Sequence, residues 1–361
     1  MAAFHDDLET VDTALPLEDY QDFLCLGGRR APLTPHVHER GYRSATINTD
    51  ALGMRYSHFA GKRFSLGERG GSASINLVVG GSVALGVGAS SDEQTLASCL
   101  SVLTGEVWLN IAGCGLDATQ ELMLFLSHQH RLGRIGHVVI LSGLNTLAHE
   151  GLCDLLACDR RGDPPPQPAA YFDEGVRGLA APTSATLWQR LRRQLSGGAS
   201  ATCAVHRSLS APEKRLIRAA DRIGRTLLQW ERLLADNHSS LTFVLQPLLP
   251  WCRETLPAGE VAMLQALERH PAHFDRLLEG IDDEALHSAF FRRIKSQSDP
   301  VACYDMNGML SSSTVFARHL FVDRMHLNDL GQNALAKVIT AKLGLAQEKQ
   351  ARRRASPFKL V

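Results

Sequence analysis

The sequence predicts a three-layer, doubly wound α/β fold built on a five-stranded parallel sheet. Four apolar runs of strand length and a weaker fifth recur along the chain, and helical patterns separate them. The runs are continuously apolar, which is typical of parallel strands that helices cover on both faces. Strands that alternate with helices indicate a doubly wound sheet. The runs are Ile75–Val79, Val107–Ile111, His137–Leu141, Leu241–Leu245 and the weaker Val301–Tyr304.

Helical segments connect the early strands directly. Asp92–Leu103 links the first two runs, and Ala118–Leu132 links the second and third. The interval between the third and fourth runs is too long for one crossover helix. It opens with a breaker-rich loop at 160–168 and closes with a long helix. The segment Ser210–Glu213 predicts the start of that helix, because it combines an N-cap serine, an early proline and a capping-box glutamate.

A second helical block, Ala258–Ser296, separates the last two strands. This block and residues 151–236 could cover the functional edge of the sheet as a lid, or they could only thicken the helical layer. Residues 1–70 show no clear strand periodicity, and we expect them to be an extension that packs on the core. The predicted organisation is therefore an N-terminal extension at 1–70, a core at 71–150 and 237–346, a helical insertion at 151–236 and a basic tail at 347–361.

The composition argues against several classes of function. The 361 residues are 44% hydrophobic and carry 38 basic and 38 acidic side chains, so the formal net charge is zero. Nucleic-acid-binding proteins usually have a basic excess, and we expect no nucleic-acid partner. The acidic N-terminal segment does not resemble a signal peptide, and no apolar run approaches the ~20 residues of a membrane helix. These features predict a cytoplasmic protein without stable membrane insertion, and they leave the oligomeric state open.

The cysteines and histidines do not form a convincing metal site. The eight cysteines are scattered, and in a chain of this size without an export signal they are expected to be reduced core residues. Cys203 and His206 have a metal-like spacing but no second ligand pair, and the histidine pairs 36/38 and 128/130 are similarly isolated. We therefore expect neither a metal nor an organic cofactor.

An acid and a histidine follow the last predicted strand at a spacing that suggests catalysis. Asp323 precedes His326 by three residues, and a helical pattern begins directly afterwards. A catalytic imidazole needs an acid that fixes its tautomer and a nucleophile that it can deprotonate. Taken alone, the pair could also be a surface salt bridge.

A candidate nucleophile follows the first strand. Gly80 and Gly81 let the backbone turn sharply, so that the hydroxyl of Ser82 can project from a strand-to-helix junction. Backbone N–H groups at a helix start can also donate hydrogen bonds to a negatively charged group. The alternative is that Ser82 simply caps the helix.

Candidate oxyanion donors follow the second and third strands. Gly115 lies in the loop after the second strand, where a glycine lets the backbone N–H approach an oxyanion closely. Asn145 follows the third strand, and an asparagine amide is an effective oxyanion donor. Either residue could instead serve only its turn. In a doubly wound sheet the carboxyl ends of the strands carry the functional groups, which brings these positions together.

In this order, the Gly-Ser, Gly, Gly-x-Asn and Asp-x-x-His blocks resemble the SGNH superfamily of GDSL-type esterases and lipases. The resemblance covers Ile75–Leu147 and Leu241–Leu343, and it is strongest in the Asp-x-x-His-Leu-Asn-x-x-Gly block. The "LGMR" segment at 52–55 is also similar to an "LGFRG"-type segment of a long-chain branch of the family. The resemblance implies a flavodoxin-like sheet with helical insertions.

The resemblance also implies roles for individual residues. Ser82 would be the nucleophile, His326 the general base and then acid, and Asp323 its orienting partner. The N–H groups of Ser82 and Gly115 and the side chain of Asn145 would form the oxyanion hole.

The chain departs from the family pattern twice. Gly-Gly-Ser replaces Gly-Asp-Ser, and Thr146 replaces the aspartate of Gly-x-Asn-Asp. Neither change removes a proposed catalytic group.

The implied activity is two-step acyl transfer without a cofactor, in which a small acyl ester is hydrolysed through an acyl-enzyme. The ester would be an O-acyl derivative of a small metabolite, lipid or sugar. Two alternatives remain: an acyltransferase that passes the acyl group to an alcohol or amine, and a non-catalytic binding module on the same scaffold. We expect Gly81, Leu116 and Leu144 to contact the substrate.

Overall fold

The fold is described by a computed structural model of the chain. Its strands, in chain order, are β1 (Gly28–Arg29), β2 (Val37–His38), β3 (Ser57–Phe59), β4 (Lys62–Phe64), β5 (Ile75–Gly80), β6 (Trp108–Ala112), β7 (Ile135–Ser142), β8 (Ser240–Leu245) and β9 (Ala302–Asp305). The structure describes residues 28–29, 37–68, 74–156, 210–237, 239–268, 278, 280–281 and 283–345.

The last five strands form one parallel sheet in the order β6-β5-β7-β8-β9. Counted along the chain, this order is 2-1-3-4-5, which is the flavodoxin-like arrangement. Every residue of β5 and β6 is buried, as expected for strands with helices on both faces. The predicted five-stranded, doubly wound sheet is therefore confirmed, and the predicted strands differ from the observed ones by no more than two residues at either end.

Helices join and flank the strands. The structure shows α1 (Ser82–Leu85), α2 (Leu96–Thr104), α3 (Ala118–His128), α4 (Leu144–Leu156), α5 (Pro212–Leu234), α6 (Leu249–Cys252), α7 (Ala258–Glu268), α8 (Glu284–Gln297), α9 (Met306–Leu310) and α10 (Asp329–Lys342). Short 3-10 turns at Asp92–Gln94, Gln129–Arg131 and Ala235–Asn237 adjoin α2, α3 and α5.

The helices form two layers. The connection from β5 to β6 runs along the sheet in the opposite direction to the later connections, and crossovers between parallel strands are right-handed. Helix α2 must therefore lie on the opposite face from α3, α4 and α8. The packing agrees, since α2 pairs with α10, whereas α5 packs against α3, α4 and α8. The sheet is thus the middle of three layers.

Two local predictions need correction. The predicted helix at 92–103 is broken, because the Thr95 side chain accepts a hydrogen bond from the Ser98 N–H and starts α2 afresh. Helix α5 has Ala211 as its N-cap, with no side-chain capping bond, and the Ser210 hydroxyl instead accepts a bond from Arg218. Pro212 does occupy the first turn, as predicted. The described part of the predicted helical block at 258–296 contains α7 and α8.

Residues 1–70 contain strands that the sequence pattern did not indicate. β1 pairs with β2, and β3 pairs with β4, both antiparallel. Segments of two or three residues are too short to show alternation. The Ser57 hydroxyl donates to the Trp108 carbonyl, and the His58 N–H donates to the Ser98 hydroxyl, so this region contacts the core. The division into domains remains a prediction.

Several predicted features lie outside the described residues. They are the loop at 160–168, the Cys203–His206 pair, most of the 151–236 insertion and the basic tail at 347–361. Across the described segments, no helix is both long and apolar enough to cross a membrane.

Candidate active site

Ser82 stands at the sharp junction between β5 and α1. Gly80 ends the strand with φ +153°, and a side chain there would come within 2.1 Å of the Leu141 carbonyl. Ser82 is the first residue of the helix, so its N–H has no partner within that helix. Ser82 is partly exposed, at the carboxyl end of its strand. The glycine at 80 is thus required by the turn that presents this serine.

Asp323 holds His326 through the backbone as well as through the ring. Its Oδ1 accepts hydrogen bonds from the Met325 and His326 N–H groups at 2.7 and 2.6 Å. Its Oδ2 lies 2.5 Å from His326 Nδ1. Because both carboxylate oxygens are used, the acid fixes the orientation of the imidazole relative to its own turn.

The free end of that imidazole meets the serine. His326 Nε2 lies 2.7 Å from Ser82 Oγ, across 244 residues of sequence. The His326 and Asp323 side chains are 13% and 17% exposed, so the pair is not a surface salt bridge. The fold therefore brings together Ser82, His326 and Asp323 as one hydrogen-bonded series.

Two further contacts fix the loops that carry this series. The buried Arg55 of the "LGMR" segment donates to the carbonyls of Leu85 and Gly86 at the end of α1, and its Nε pairs with Asp92 at 2.8 Å. Ser90, in the loop after α1, donates its N–H and hydroxyl to Asp329, the first residue of α10. These contacts tie the serine side of the site to the histidine side.

Asn145 lies beside the serine turn, and Gly115 precedes the residue whose carbonyl the Asn145 amide contacts. The Asn145 Nδ2 donates to the Leu116 carbonyl at 3.0 Å, and a Cβ added at Gly81 would come within 2.3 Å of the same nitrogen. The amide thus packs directly on the residue before Ser82, and it carries a second N–H. Gly115 has φ +68°, a backbone conformation that favours glycine. Their roles as oxyanion donors remain proposals.

The three residues that were predicted to contact the substrate are buried. Gly81 is buried against Asn145. Leu116 and Leu144 are 1% and 0% exposed and belong to the hydrophobic core. A fully covered side chain offers no surface to a substrate, so their part in a pocket wall remains a prediction that their burial does not support.

Sequence reasoning missed a second acid–histidine pair next to Asn145. His149 lies one helical turn after Asn145 on α4, and its Nδ1 is 3.0 Å from the Asp117 carboxylate. Arg222 of α5 reaches the same carboxylate at 3.3 Å and Glu150 at 2.6 Å. The only signal in the sequence was Asp117 as a helix cap, since its partners lie 32 and 105 residues away.

The two acids on this side of the site have opposite pKa shifts. Burial raises the pKa of Asp117, but the hydrogen bond and charge of His149, together with Arg222, outweigh burial and lower it overall. Burial raises the pKa of Glu121, on the next turn of α3, to about 8, although its bond from the Ser142 hydroxyl partly opposes the shift. Asp117 is therefore charged and Glu121 largely neutral at neutral pH.

Metal ligands are not grouped in the described part of the chain. No set of three or more His, Cys, Asp or Glu side chains there is placed to hold a metal ion. Among the described cysteines, the thiols of Cys99, Cys252 and Cys303 are free.

Comparisons with known proteins give structural likeness only. No protein-family model matches the chain, and no curated protein matches its sequence. An acetyl xylan esterase is 10% identical with a TM-score of 0.39, over 74% of this chain and 99% of that one. A member of the lipolytic G-D-S-L family from Veillonella parvula DSM 2008 is 10% identical with a TM-score of 0.38, over 75% and 98%. A catalytic mutant of an acetylxylan esterase from Geobacillus stearothermophilus is 11% identical with a TM-score of 0.38, over 76% and 95%.

Likeness of this size has no bearing on activity or on the role of any residue. The fold follows from the chain's own topology, in which five parallel strands have the order 2-1-3-4-5 between two layers of helices. The chain therefore has a flavodoxin-like α/β fold with one parallel five-stranded sheet.

Proposed function

We propose that the chain is a serine hydrolase that cleaves a carboxylic ester through an acyl-enzyme. The observation that carries this proposal is the position of His326, whose two ring nitrogens lie 2.7 Å from Ser82 Oγ and 2.5 Å from Asp323 Oδ2. Residues that are 244 positions apart in sequence thus form the hydrogen-bonded series that activates a serine. The ester is an O-acyl derivative of a small metabolite, lipid or sugar.

The first half-reaction forms the acyl-enzyme. Ser82 Oγ attacks the ester carbonyl carbon while His326 Nε2 takes the hydroxyl proton. Asp323 keeps the proton of Nδ1 directed at its carboxylate, so that Nε2 faces the serine as an acceptor. The protonated His326 then gives its proton to the leaving alcohol, and the carbonyl re-forms as an acyl ester of Ser82.

The developing oxyanion needs donors at the serine turn. We assign this role to the N–H groups of Ser82 and Gly115 and to the second N–H of the Asn145 amide. One such donor contributes about 3–4 kcal/mol to transition-state stabilisation where it has been measured. Support comes from the contact of Asn145 with Gly81 and from the positive φ of Gly115.

The second half-reaction restores the enzyme. His326 Nε2 removes a proton from a water molecule, whose oxygen attacks the acyl carbon. Ser82 leaves with the proton that His326 holds, and the carboxylic acid is released. Each turnover therefore consumes one ester and one water, and it yields one acid and one alcohol.

The direct test is covalent labelling of Ser82. A fluorophosphonate probe should label the wild-type chain and hydrolysis of short p-nitrophenyl esters should accompany it, whereas Ser82→Ala should lose both. Ser127→Ala is the matched control, because the Ser127 hydroxyl is exposed and bonds only within its own helix. Persistent labelling of Ser82→Ala would overturn the nucleophile assignment. If an added alcohol captured the acyl group in preference to water, the chain would be an acyltransferase instead.

A further inference from the structure

Three successive contacts join the start of α4 to the loop that follows β6. Asn145 Nδ2 donates to the Leu116 carbonyl at 3.0 Å, and the Ala118 N–H donates to Thr146 Oγ1 at 3.0 Å. His149 Nδ1 lies 3.0 Å from Asp117 Oδ2. The loop that contains Gly115 and the helix that carries Asn145 are therefore held together at three consecutive residues, 116–118, where the loop enters α3.

The Asp117 carboxylate is the most strongly fixed of these groups. It is 6% exposed, and its Oδ1 caps α3 by accepting the Gln120 N–H at 2.9 Å. Because the lowered pKa keeps this acid ionised, it can only accept hydrogen bonds, and His149 must donate through an Nδ1–H. His149 itself is 4% exposed, so the contact is shielded from solvent.

Two arginines extend the contact to the neighbouring helix. Arg222 bridges Asp117 and Glu150, and Arg218 Nε pairs with the other oxygen of Glu150 at 2.8 Å. Helix α5 therefore holds both the residue that caps α3 and the residue after His149. The network links three helices around the loop of Gly115.

We propose that Asp117 and His149 are a positioning pair, which fixes the Gly115 N–H and the Asn145 amide relative to each other in the oxyanion hole. This inference rests on the proposed function and adds two residues to it. Neither touches the reacting atoms; both act through the loop and the helix that carry the donors. The two donors come from different elements, so their separation depends on whatever joins these elements. A displacement of about 1 Å at such a site can cost about 100-fold in rate.

The chain offers a matched set of variants. His149→Leu removes the donor at similar volume, and His149→Asn keeps an N–H near the Nδ1 position. His287→Leu is the control, because buried His287 also lies beside an acid, with Nε2 2.8 Å from Asp305, but belongs to α8, which packs against α5 and β9. Thr146→Val removes the neighbouring contact with a side chain of the same shape. Should His149→Leu fail to fold, Asp117→Asn interrupts the same pair from the acid side.

The kinetic expectation is a loss in the transition state rather than in substrate binding. His149→Leu should lower kcat on a short p-nitrophenyl ester by about 10- to 100-fold and change KM by less than about threefold. His149→Asn should recover most of kcat, Thr146→Val should lose less than His149→Leu, and His287→Leu should keep kcat per folded molecule. The fraction folded is measured by circular dichroism and thermal unfolding.

The possible outcomes distinguish the positioning role from the proposed hydrolase function. If the wild type neither labels with fluorophosphonate nor hydrolyses esters, both proposals fall. If the wild type does both but His149→Leu keeps kcat, or loses no more than His287→Leu, only the positioning role is overturned. Equal losses in His149→Leu and His149→Asn would also overturn it, because the N–H would then be irrelevant.

Discussion

The two acid–histidine pairs of the candidate site share one kind of contact but differ in their burial and in their other partners. In both, a carboxylate meets histidine Nδ1, at 2.5 Å for Asp323–His326 and at 3.0 Å for Asp117–His149. His326 is 13% exposed, and its other nitrogen faces the serine hydroxyl. His149 is 4% exposed, and its acid is shared with Arg222.

The difference shows that an acid next to a histidine is not enough to define a base. A general base must meet the proton it removes and must be reached by substrate. In the Asp323 pair, His326 Nε2 lies 2.7 Å from the Ser82 hydroxyl and the His326 side chain is 13% exposed, which fits the proposed base. In the Asp117 pair, His149 is 4% exposed, and the carboxylate is held by a helix cap and a cation. We infer that the Asp323 pair transfers a proton, whereas the Asp117 pair keeps the neighbouring loop and helix in position.

The sharpest test of this comparison is the same substitution in both acids. Asp323→Asn should lower kcat about 10³- to 10⁴-fold, because an amide favours the wrong tautomer of the imidazole. Asp117→Asn should lower kcat by about 10- to 100-fold, because a single amide oxygen can replace only one of the two carboxylate oxygens that meet the Gln120 N–H and His149. Steady-state kinetics on one short ester measures both.

The comparison would fail if the two variants lost similar activity. Equally large losses of kcat would indicate that Asp117 takes part in catalysis directly. Equally small losses would indicate that Asp323 does not. Thermal unfolding of both proteins excludes misfolding as the cause.

The sequence predicted the first pair but not the second, and the reason is distance along the chain. Asp323 and His326 are three residues apart, so a local pattern shows them. Asp117 and His149 are separated by a helix and a strand, and only the packing of α3 against its neighbours joins them. The strands were predictable because their continuous apolarity is itself the result of burial on both faces.

Other features could not be read from the pattern for similar reasons. Thr95 interrupts a helical stretch because its hydroxyl competes for a backbone N–H, which a periodicity of apolar residues does not record. Leu116 and Leu144 follow strands that lead to the site, yet they point into the core. Which way a loop side chain turns depends on tertiary packing, and so the walls of a pocket are harder to predict than its catalytic groups.

A second test uses the pH dependence of stability on the Asp117 side. The pKa of buried Glu121 rises from the ordinary 4.5 to about 8, with burial as the main cause. Between these values the folded chain holds a proton that the unfolded chain releases, so stability should fall as pH rises from about 5 to 8. The steepest slope is about 1.4 kcal/mol per pH unit. Glu121→Gln should flatten this profile, because an amide stays neutral and can still accept from Ser142.

Urea unfolding at several pH values between 5 and 8 measures the effect. Glu284→Gln, at an exposed position of α8, is the control and should leave the slope unchanged. An unchanged slope in Glu121→Gln would mean that Glu121 is already ionised at neutral pH. Asp117 would then lie near a second negative charge, and the positive charge of Arg222 would matter more for the conformation of the loop that contains Gly115.

The smallest expected effect concerns Arg222 itself. Arg222→Met should lower the free energy of unfolding by about 1–2 kcal/mol, because it leaves two buried carboxylates with one partner fewer each. The loss is less than for an isolated buried pair, since Arg222 is 31% exposed and Asp117 and Glu150 keep His149 and Arg218. Arg293→Met, which breaks a more exposed pair with Asp221, should shift the unfolding transition less. If both variants shifted the unfolding transition equally, the Arg222 ion pairs would stabilise the fold no more than an exposed ion pair does. The proposal that this network positions the loop after β6 would then lack energetic support.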